Sequence, residues 1–393
     1  MLGLLLARAG IRVTVLEKHA DFLRDFRGDT VHPSTLQILT ELGLFERFNA
    51  LPQHRVHELK IAFADHLQPF VDFTGLKPFD YLALVPQWNL LDLLAESARE
   101  CDGFDLHMRT QATDVIEANG RIVGVRATGP DGELEIHADL VVGTDGRSST
   151  MRDAAGFHPI DYGAPMDVFW FRMPRRDDDP QDTFGRAAYG HMMVLLNRGD
   201  YWQVAYVLAK GGAESMRNRP IEEFRASVAK IAPFLADRTD MIESWDMVKL
   251  LEVKVNRLKQ WYRSGLLLIG DAAHAMSPIG GVGINLAIQD AVAAANILAP
   301  ALLAQGMPDE TPLRAVQERR AWPTRFTQAL QLQIQKRIIA RALADTGGQV
   351  EFPALLRWLL QFRWVRNIPA RLLGYGVRRE HVNLPGMKPE RRV

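Results

Sequence analysis

The chain has 393 residues and carries 47 basic and 47 acidic side chains, so its formal net charge is zero. Apolar residues make up 47% of the sequence and charged residues 24%, which is ordinary for a globular protein and argues against a dedicated nucleic-acid binder. The single cysteine, Cys101, excludes an intramolecular disulfide, and the histidines show no zinc-like spacing, so we expect a cytoplasmic protein without a metal site.

The first elements have the order of a dinucleotide-binding unit. Leu2 to Ala9 predicts an apolar helix, and the run from Ile11 to Leu16 predicts a strand that ends in an acid. Such an acid binds the adenosine ribose, so Glu17 and the adjoining Lys18 are candidate cofactor residues. The glycine-rich turn of these units lies about 20 residues before the acid, and counting back passes Met1. We therefore expect that Met1 is an internal methionine of a longer protein and that this chain lacks the first strand.

The next segments alternate between this unit and a second sheet. Arg27 lies in a turn before a helix that begins at Pro33, and an arginine fork suits a diphosphate. Short alternating runs from 56 to 84 predict strands of the second sheet. Gln87 then begins a helix that returns to the first domain. Thr113 to Ala127 and Leu134 to Ile136 are predicted to be the two strands of a hairpin, with the turn at residues 130–132.

A strand followed by an Asp-Gly turn comes next. Leu140 to Val142 predicts the strand, and Asp145 and Gly146 follow it. Ser148 is a candidate cap for the next helix, and Arg147 is a candidate phosphate contact. The position after a strand makes this turn a second part of a cofactor site.

The middle of the chain predicts more of the second sheet. Strands are predicted from Met166 to Met173, from Met192 to Leu196 and from Gln203 to Leu208. The charged segment RRDDDPQD between the first two is predicted to be a solvated loop, and a helix is predicted from Ile221 to Ile231.

The most informative stretch is LLLIGDAAHAMSPIGGVGINLAIQDAVAAANIL, residues 266–298. A buried strand ends in an acid, a glycine-containing loop follows, and an apolar helix begins. Ligands of α/β proteins bind beyond the carboxyl ends of strands, where a helix N-terminus also offers free N–H groups. The candidate cofactor residues in this stretch are Asp271, Pro278, Gly281, Gly283, Ile284 and Asn285.

The C-terminal part predicts further helices. Pro312 to Ala344 is predicted to be helical, and the tail from Phe352 to Arg379 mixes aromatic residues with arginines until Pro369 breaks the run. This tail fits either peripheral membrane contact or helices that cap the cofactor domain or form a homodimer contact.

The stretch GDAAHAMSPIGGVGINLAIQDA resembles the second FAD-contacting motif of the flavin-dependent aromatic hydroxylases of the p-hydroxybenzoate hydroxylase type, and Asp145–Gly146 resembles their DG motif. The resemblance implies that Arg27 reaches the FAD pyrophosphate, that Gln87 contacts FAD, and that Asp271 accepts a hydrogen bond from a ribityl hydroxyl. It also implies that residues 283–285 face the pyrimidine edge of the flavin.

The implied fold is α/β (α+β), with a Rossmann-like FAD-binding domain, an inserted mixed β-sheet substrate domain and C-terminal helices. The expected boundaries are 1–55, 87–157 and 262–345 for the FAD-binding domain, 56–86 and 158–261 for the substrate domain, and 346–393 for the tail.

The implied activity is that of an NAD(P)H-using, FAD-dependent monooxygenase, an oxidoreductase. It would hydroxylate an aromatic or quinone-like small molecule with dioxygen through a flavin C4a-hydroperoxide. The residues identify no catalytic acid or base. Two alternatives stay open, namely a flavin-dependent reductase or dehydrogenase of the same fold, and a truncated, non-enzymatic relic with impaired FAD binding.

Overall fold

A computed structural model describes residues 1–23, 30–63, 66–188, 190–306, 309–340, 343 and 358–387. The helices of these residues are α1 (Leu2–Arg8), α2 (Pro33–Glu41), α3 (Phe45–Asn49), α4 (Gln87–Arg99), α5 (Thr150–Ala154), α6 (Gly212–Arg217), α7 (Ile221–Ile231), α8 (Gly283–Gln305), α9 (Glu310–Ile334) and α10 (Arg363–Tyr375). The strands are β1 (Val13–Glu17), β2 (Thr30–Val31), β3 (His54–Val56), β4 (Glu58–Phe63), β5 (His66–Asp72), β6 (Leu82–Leu84), β7 (Phe104–Met108), β8 (Gln111–Ala118), β9 (Arg121–Gly129), β10 (Gly132–His137), β11 (Val141–Gly143), β12 (Ile160–Asp161), β13 (Met166–Pro174), β14 (Phe184–Ala188), β15 (His191–Asn197), β16 (Tyr201–Ala209), β17 (Lys249–Leu251), β18 (Asn256–Arg257), β19 (Tyr262–Arg263) and β20 (Leu266–Leu268).

The predicted α/β part contains two pairs of parallel strands. Strand β1 pairs with β7, and β11 pairs with β20. The three leucines of β20 are fully buried, as expected for a strand covered on both faces, and α8 packs against both α1 and α9. Because carboxyl ends of neighbouring parallel strands meet at one edge, the segments after β11 and β20 lie side by side. The predicted mixture of helix and strand is confirmed, and the prediction that Met1 is internal stays a prediction.

A seven-stranded sheet, in the order β17-β13-β16-β15-β14-β4-β5, forms the second layer. Side chains along each strand alternate between the two faces of the sheet, so Phe169 and Phe171 lie on the same face and pack against α7. The Phe171 ring lies edge-on to Phe224, with ring centroids 5.4 Å apart. The opposite face carries Trp170 in a second apolar cluster with Ile279 of the glycine-containing loop. This face of the sheet therefore borders the loop before α8.

The sequence mispredicted several strands. The run YLALVP, expected in the second sheet, forms β6 and pairs instead with β2 and β3 in a small sheet of its own. The run from 113 to 127 is two strands, β8 and β9, joined by Asn119 and Gly120 with φ of 51° and 74°. An Asn-Gly pair with two positive φ values is the preferred two-residue hairpin turn, so this signal was present and missed. Strand β14 was also not predicted.

Three local predictions were wrong. The loop RRDDDPQD is not fully solvated, because Asp179 is buried, accepts a hydrogen bond from Trp202 Nε1 (2.9 Å) and pairs with Arg238. Ser149, rather than Ser148, caps α5 by accepting a hydrogen bond from the backbone N–H at N3 of the helix. The helical run does not break at Pro369, which lies inside α10; Asn367 before it donates to Asp72 O (2.6 Å), and Leu373 O after it accepts from His32 Nδ1.

One stretch of the described residues, Ile279–Ala304, is long and apolar enough to cross a membrane, with a mean hydropathy of 1.6. In the most apolar 18-residue part of this stretch, 61% of the residues are buried inside the protein, where α8 packs between α1 and α9. A buried core helix has the same composition as a membrane span, so its hydropathy reflects burial.

Candidate functional site

The turns after β11 and β20 bring a cation and two acids together. Arg147 donates from its guanidinium to Asp271 Oδ2 at 3.4 Å. Asp145 accepts hydrogen bonds from the Ser149 hydroxyl and from the Met151 N–H (3.0 Å), so its carboxylate organises the start of α5. Because an ionised carboxylate only accepts hydrogen bonds, Arg147 is the group in this cluster that suits a phosphate.

The loop before α8 depends on two glycines. Gly280 and Gly281 have φ of 76° and 62°, in the left-handed region that favours glycine. A Cβ added to Gly280 would lie 2.5 Å from a methyl carbon of Leu373, and one added to Gly281 would lie 3.0 Å from Thr30. The loop therefore follows a path that only glycine permits.

Helix α8 begins with backbone N–H groups that a ligand could use. Its N-cap residue, Val282, provides no side-chain cap, and the first bond within the helix runs from Leu286 N to Val282 O at 2.9 Å. The N–H groups of Gly283, Ile284 and Asn285 consequently have no intrahelical acceptor. A Cβ added to Gly283 would meet no atom within 4 Å, so there is open space before the helix. An electron-rich, planar group such as the flavin pyrimidine edge fits this position.

Asn285 holds the loop through its side chain. Its Oδ1 accepts from the His32 N–H (2.9 Å) and the Thr35 hydroxyl (2.7 Å), and its Nδ2 donates to Thr30 O (3.0 Å) and Gly281 O (3.2 Å). The residue is 3% exposed. These four bonds occupy the amide group, so Asn285 offers a ligand its backbone N–H while its side chain joins α8 to β2 and α2.

His32, which the sequence did not single out, lies in the same place. Its Nδ1 donates to Leu373 O at 2.7 Å, while its Nε2 is buried and has no hydrogen-bond partner among the described residues. Burial lowers the pKa of His32 to about 4, although the carbonyls of Leu373, Gly280 and Gly281 act in the opposite direction. The imidazole is therefore neutral near pH 7 and ties α10 to the start of α2.

We expect His32 to make stability depend on pH between its folded and unfolded pKa values. The folded pKa of about 4 lies below the ordinary 6.5, so the unfolded chain binds the proton more tightly. Stability from this group is full above pH 6.5 and falls by about 3 kcal/mol as the pH drops to 4. The free energy of urea unfolding, measured at several pH values, should fall more steeply for wild type than for His32→Asn. Equal slopes for the two proteins would contradict the prediction.

The remaining predicted cofactor residues lie on other elements. Glu17 ends β1 and accepts a hydrogen bond from the His19 N–H at 2.9 Å, and Lys18 beside it is exposed. Gln87 is the first residue of α4 and is half-buried. Arg27 lies outside the described residues. Pro278 opens the glycine turn, and Gly146, with φ of 84°, turns the chain after β11.

A buried charge network lies beneath the loop, and the sequence did not predict it. Asp290 of α8 accepts from His274 Nε2 (2.6 Å), Arg320 Nε (2.8 Å) and the Gly270 N–H (3.2 Å), and Arg320 also pairs with Glu380 at 3.1 Å. Burial alone would raise the pKa of Asp290, but His274 and Arg320 lower it overall. His274 thus pairs with Asp290 and has a structural role.

Three glutamines of the α9 region hold the loop from the other side. Gln328 donates to Ala275 O (3.0 Å), Gln331 donates to Ile279 O (2.9 Å), and Gln335 donates to the Ser277 hydroxyl (2.8 Å). Their spacing of three and four residues places them on one helix face. Three glutamines at this spacing on a predicted helix were the sequence signal that could have indicated a helix face that holds the loop.

Comparisons with known proteins identify the family of the chain. The profile of the "FAD binding domain" family matches residues 1–329. The chain is 32% identical to a 6-methylpretetramide 4-monooxygenase from Streptomyces rimosus, over 88% of this chain and 82% of that protein. It is 29% identical to a 12-dehydrotetracycline 5-monooxygenase/anhydrotetracycline 6-monooxygenase from a strain of the same species, over 74% of this chain and 58% of that protein.

A solved structure gives the same fold. The OxyS anhydrotetracycline hydroxylase from Streptomyces rimosus superposes with a TM-score of 0.71 at 24% identity, covering 99% of this chain and 75% of that one. A family match over most of the chain and a relative above 30% identity agree on the class of protein. The chain therefore belongs to the FAD binding domain family and is an FAD-dependent monooxygenase with the aromatic hydroxylase fold.

Proposed function

We propose that this protein uses NAD(P)H and dioxygen to hydroxylate an aromatic or quinone-like small molecule. The observation that carries the proposal is the N-terminus of α8, which has no side-chain cap, faces open space and follows a loop that only glycine permits. Bound there, FAD would supply the redox chemistry, taking electrons from NAD(P)H and activating dioxygen by the C4a-hydroperoxide route.

The chain's own residues would position the cofactor and control its charge. The N–H groups of Gly283 and Ile284 would donate to the pyrimidine edge, where fixed dipoles stabilise negative charge. Asn285 would hold those groups in place through its four protein hydrogen bonds. Asp271 would accept from a ribityl hydroxyl, and Arg147 would face a phosphate.

Glu17 would accept a hydrogen bond from the adenosine ribose. Other predicted FAD contacts are Lys18, Arg27 and Gln87, and the turn formed by Asp145 and Gly146. We also propose the three-part division of the FAD-binding domain and the two-part substrate domain given above. The seven-stranded sheet supports this division because it combines β4 and β5 with strands from 166–251.

The apolar sheet face beside the loop would receive the substrate. It carries Trp170, Met192 and Val194, and Ile279 of the loop packs against the same cluster. Large apolar side chains exclude water, and a reactive oxygen-transfer step needs a dry pocket. The relatives are named as a 6-methylpretetramide monooxygenase and an anhydrotetracycline monooxygenase, so by analogy we expect a polycyclic phenol or quinone rather than a single small ring.

The test is product formation from labelled oxygen. Purified protein loaded with FAD is incubated with NADPH or NADH, isotopically labelled dioxygen and anhydrotetracycline or a polycyclic quinone as the probe. We expect incorporation of one labelled oxygen atom into the product, detected by mass spectrometry. Oxidation of NAD(P)H that gives only hydrogen peroxide or reduced quinone would instead favour the reductase alternative. If the chain bound no FAD, the truncated, non-enzymatic alternative would be favoured.

The predicted partners and location are proposals of the same kind. Peripheral membrane contact through the tail is supported by exposed aromatic side chains at Trp358, Phe362 and Trp364. A homodimer through this region is the alternative, and light scattering of the purified protein would detect it. A cytoplasmic location is supported by the single, unpaired Cys101.

A further inference from the structure

The outer side of α9 presents apolar side chains to solvent. Trp322, Phe326 and Leu330 are 56%, 39% and 41% exposed, and their spacing of four residues aligns them along one stripe. The rings of Trp322 and Phe326 lie 5.9 Å apart between centroids. Contiguous exposed aromatic residues of this kind mark interaction surfaces.

From Arg320 to Gln331 the inner side of the same helix is largely polar, whereas its first turns bury Leu313 and Val316. Arg320, Gln328 and Gln331 are buried and bind the loop and the charge network, as described above. This part of α9 is thus inverted relative to an ordinary surface helix, which buries its apolar stripe and exposes its polar one. The described residues leave Trp322, Phe326 and Leu330 exposed, so the apolar stripe is available to an external partner.

The charged side chains beside the apolar stripe are basic and favour an anionic partner. Arg325, Lys336 and Arg337 are exposed, and none of them belongs to an ion pair among the described residues. From residue 319 to 340 the sequence contains no Asp or Glu. Two copies joined through this face would bring like charges together, whereas an anionic surface would complement it. Tryptophan also favours the level of lipid headgroups, where its ring is buried and its N–H stays hydrated.

We propose that the outer surface of α9 and of the helical turn that follows it, formed by Trp322, Phe326, Leu330, Arg325, Lys336 and Arg337, binds anionic lipid headgroups. The helix lies along the membrane plane, with the aromatic rings at the headgroup boundary and the basic groups paired with phosphates. This surface is separate from the C-terminal tail, and the inference does not depend on the proposed activity. It places the membrane against the helix whose inner side holds the loop before α8.

Vesicle sedimentation tests the proposal on the full chain. Vesicles contain phosphatidylcholine alone or phosphatidylcholine with one-third phosphatidylglycerol. We expect the bound fraction to be about tenfold higher on the anionic vesicles and to fall at high salt. The double variant Trp322→Gln/Phe326→Gln and the single variant Arg325→Glu should each lower binding several-fold. Circular dichroism checks that each variant is folded.

Two control variants make the result specific. Met241→Gln/Met247→Gln removes two other exposed apolar side chains, 51% and 42% exposed, and should bind as wild type does. Trp358→Gln/Trp364→Gln measures the contribution of the tail. Equal binding to both vesicle types, or binding lost only in the tail variant, would overturn the proposal. So would a solution dimer that Trp322→Gln/Phe326→Gln converts to a monomer while vesicle binding is unchanged.

Discussion

Replacing Asp290 with alanine should lower the free energy of unfolding by about 3–5 kcal/mol, because it removes one of the two carboxylates that pair with the buried Arg320 guanidinium and leaves only Glu380. Asp290 and Arg320 are both fully buried, and their ion pair is 2.8 Å long. The same substitution removes the acceptor of His274 and of the Gly270 N–H. Urea unfolding followed by circular dichroism measures the change.

An exposed ion pair provides the matched control. Arg47 pairs with Glu100 at 2.8 Å, a distance equal to that of the buried pair, but their side chains are 41% and 61% exposed. Arg47→Ala should change the free energy of unfolding by no more than about 1 kcal/mol. If Asp290→Ala lowered the free energy of unfolding by no more than Arg47→Ala, burial would not explain the contribution of the charge network to stability.

Asn285→Ala should weaken FAD binding at least about tenfold, because it frees the loop before α8 from β2 and α2. It leaves the buried His32 N–H, the Thr35 hydroxyl and the Thr30 carbonyl without their partner. Unsatisfied buried groups cost about 1–3 kcal/mol each, so stability should fall as well. Titration with FAD, followed by quenching of flavin fluorescence, measures the dissociation constant.

Asn296→Ala separates these two effects. Asn296 lies on the same helix, about three turns further on, and binds His381 O and the Asn383 N–H at 2.8 Å each. Its loss should affect docking of the C-terminal segment but not FAD binding. If the folded Asn285→Ala variant bound FAD with an unchanged dissociation constant, the four side-chain hydrogen bonds of Asn285 would not shape the cofactor site.

The sequence predicted elements whose pattern is local. Helix α7 was predicted with its observed bounds, α1 was predicted to within one residue, and α4 was predicted to begin at its observed first residue, Gln87. Their apolar periodicity and their end residues are properties of short segments, which suffice to define them. The Asp-Gly turn and the glycine loop were also recognisable because each follows a strand directly.

The supports of the candidate site depend on tertiary contacts and were not predictable in the same way. Asn285 was predicted as a cofactor contact, yet its side chain binds residues about 250 positions away. His32 meets Leu373 across 341 positions. Asp290 is the one charged residue in the sequence of α8, but its partner Arg320 lies on the next helix, and no local spacing links the two.

The visible absorbance spectrum of the purified chain, titrated with FAD, tests the central claim most directly. We expect one FAD per chain, a flavin spectrum altered by binding, and loss of that change in Asn285→Ala but not in Asn296→Ala. A folded wild-type protein that retains no FAD and leaves the spectrum of added FAD unchanged would contradict the assignment of the α8 N-terminus as a flavin site.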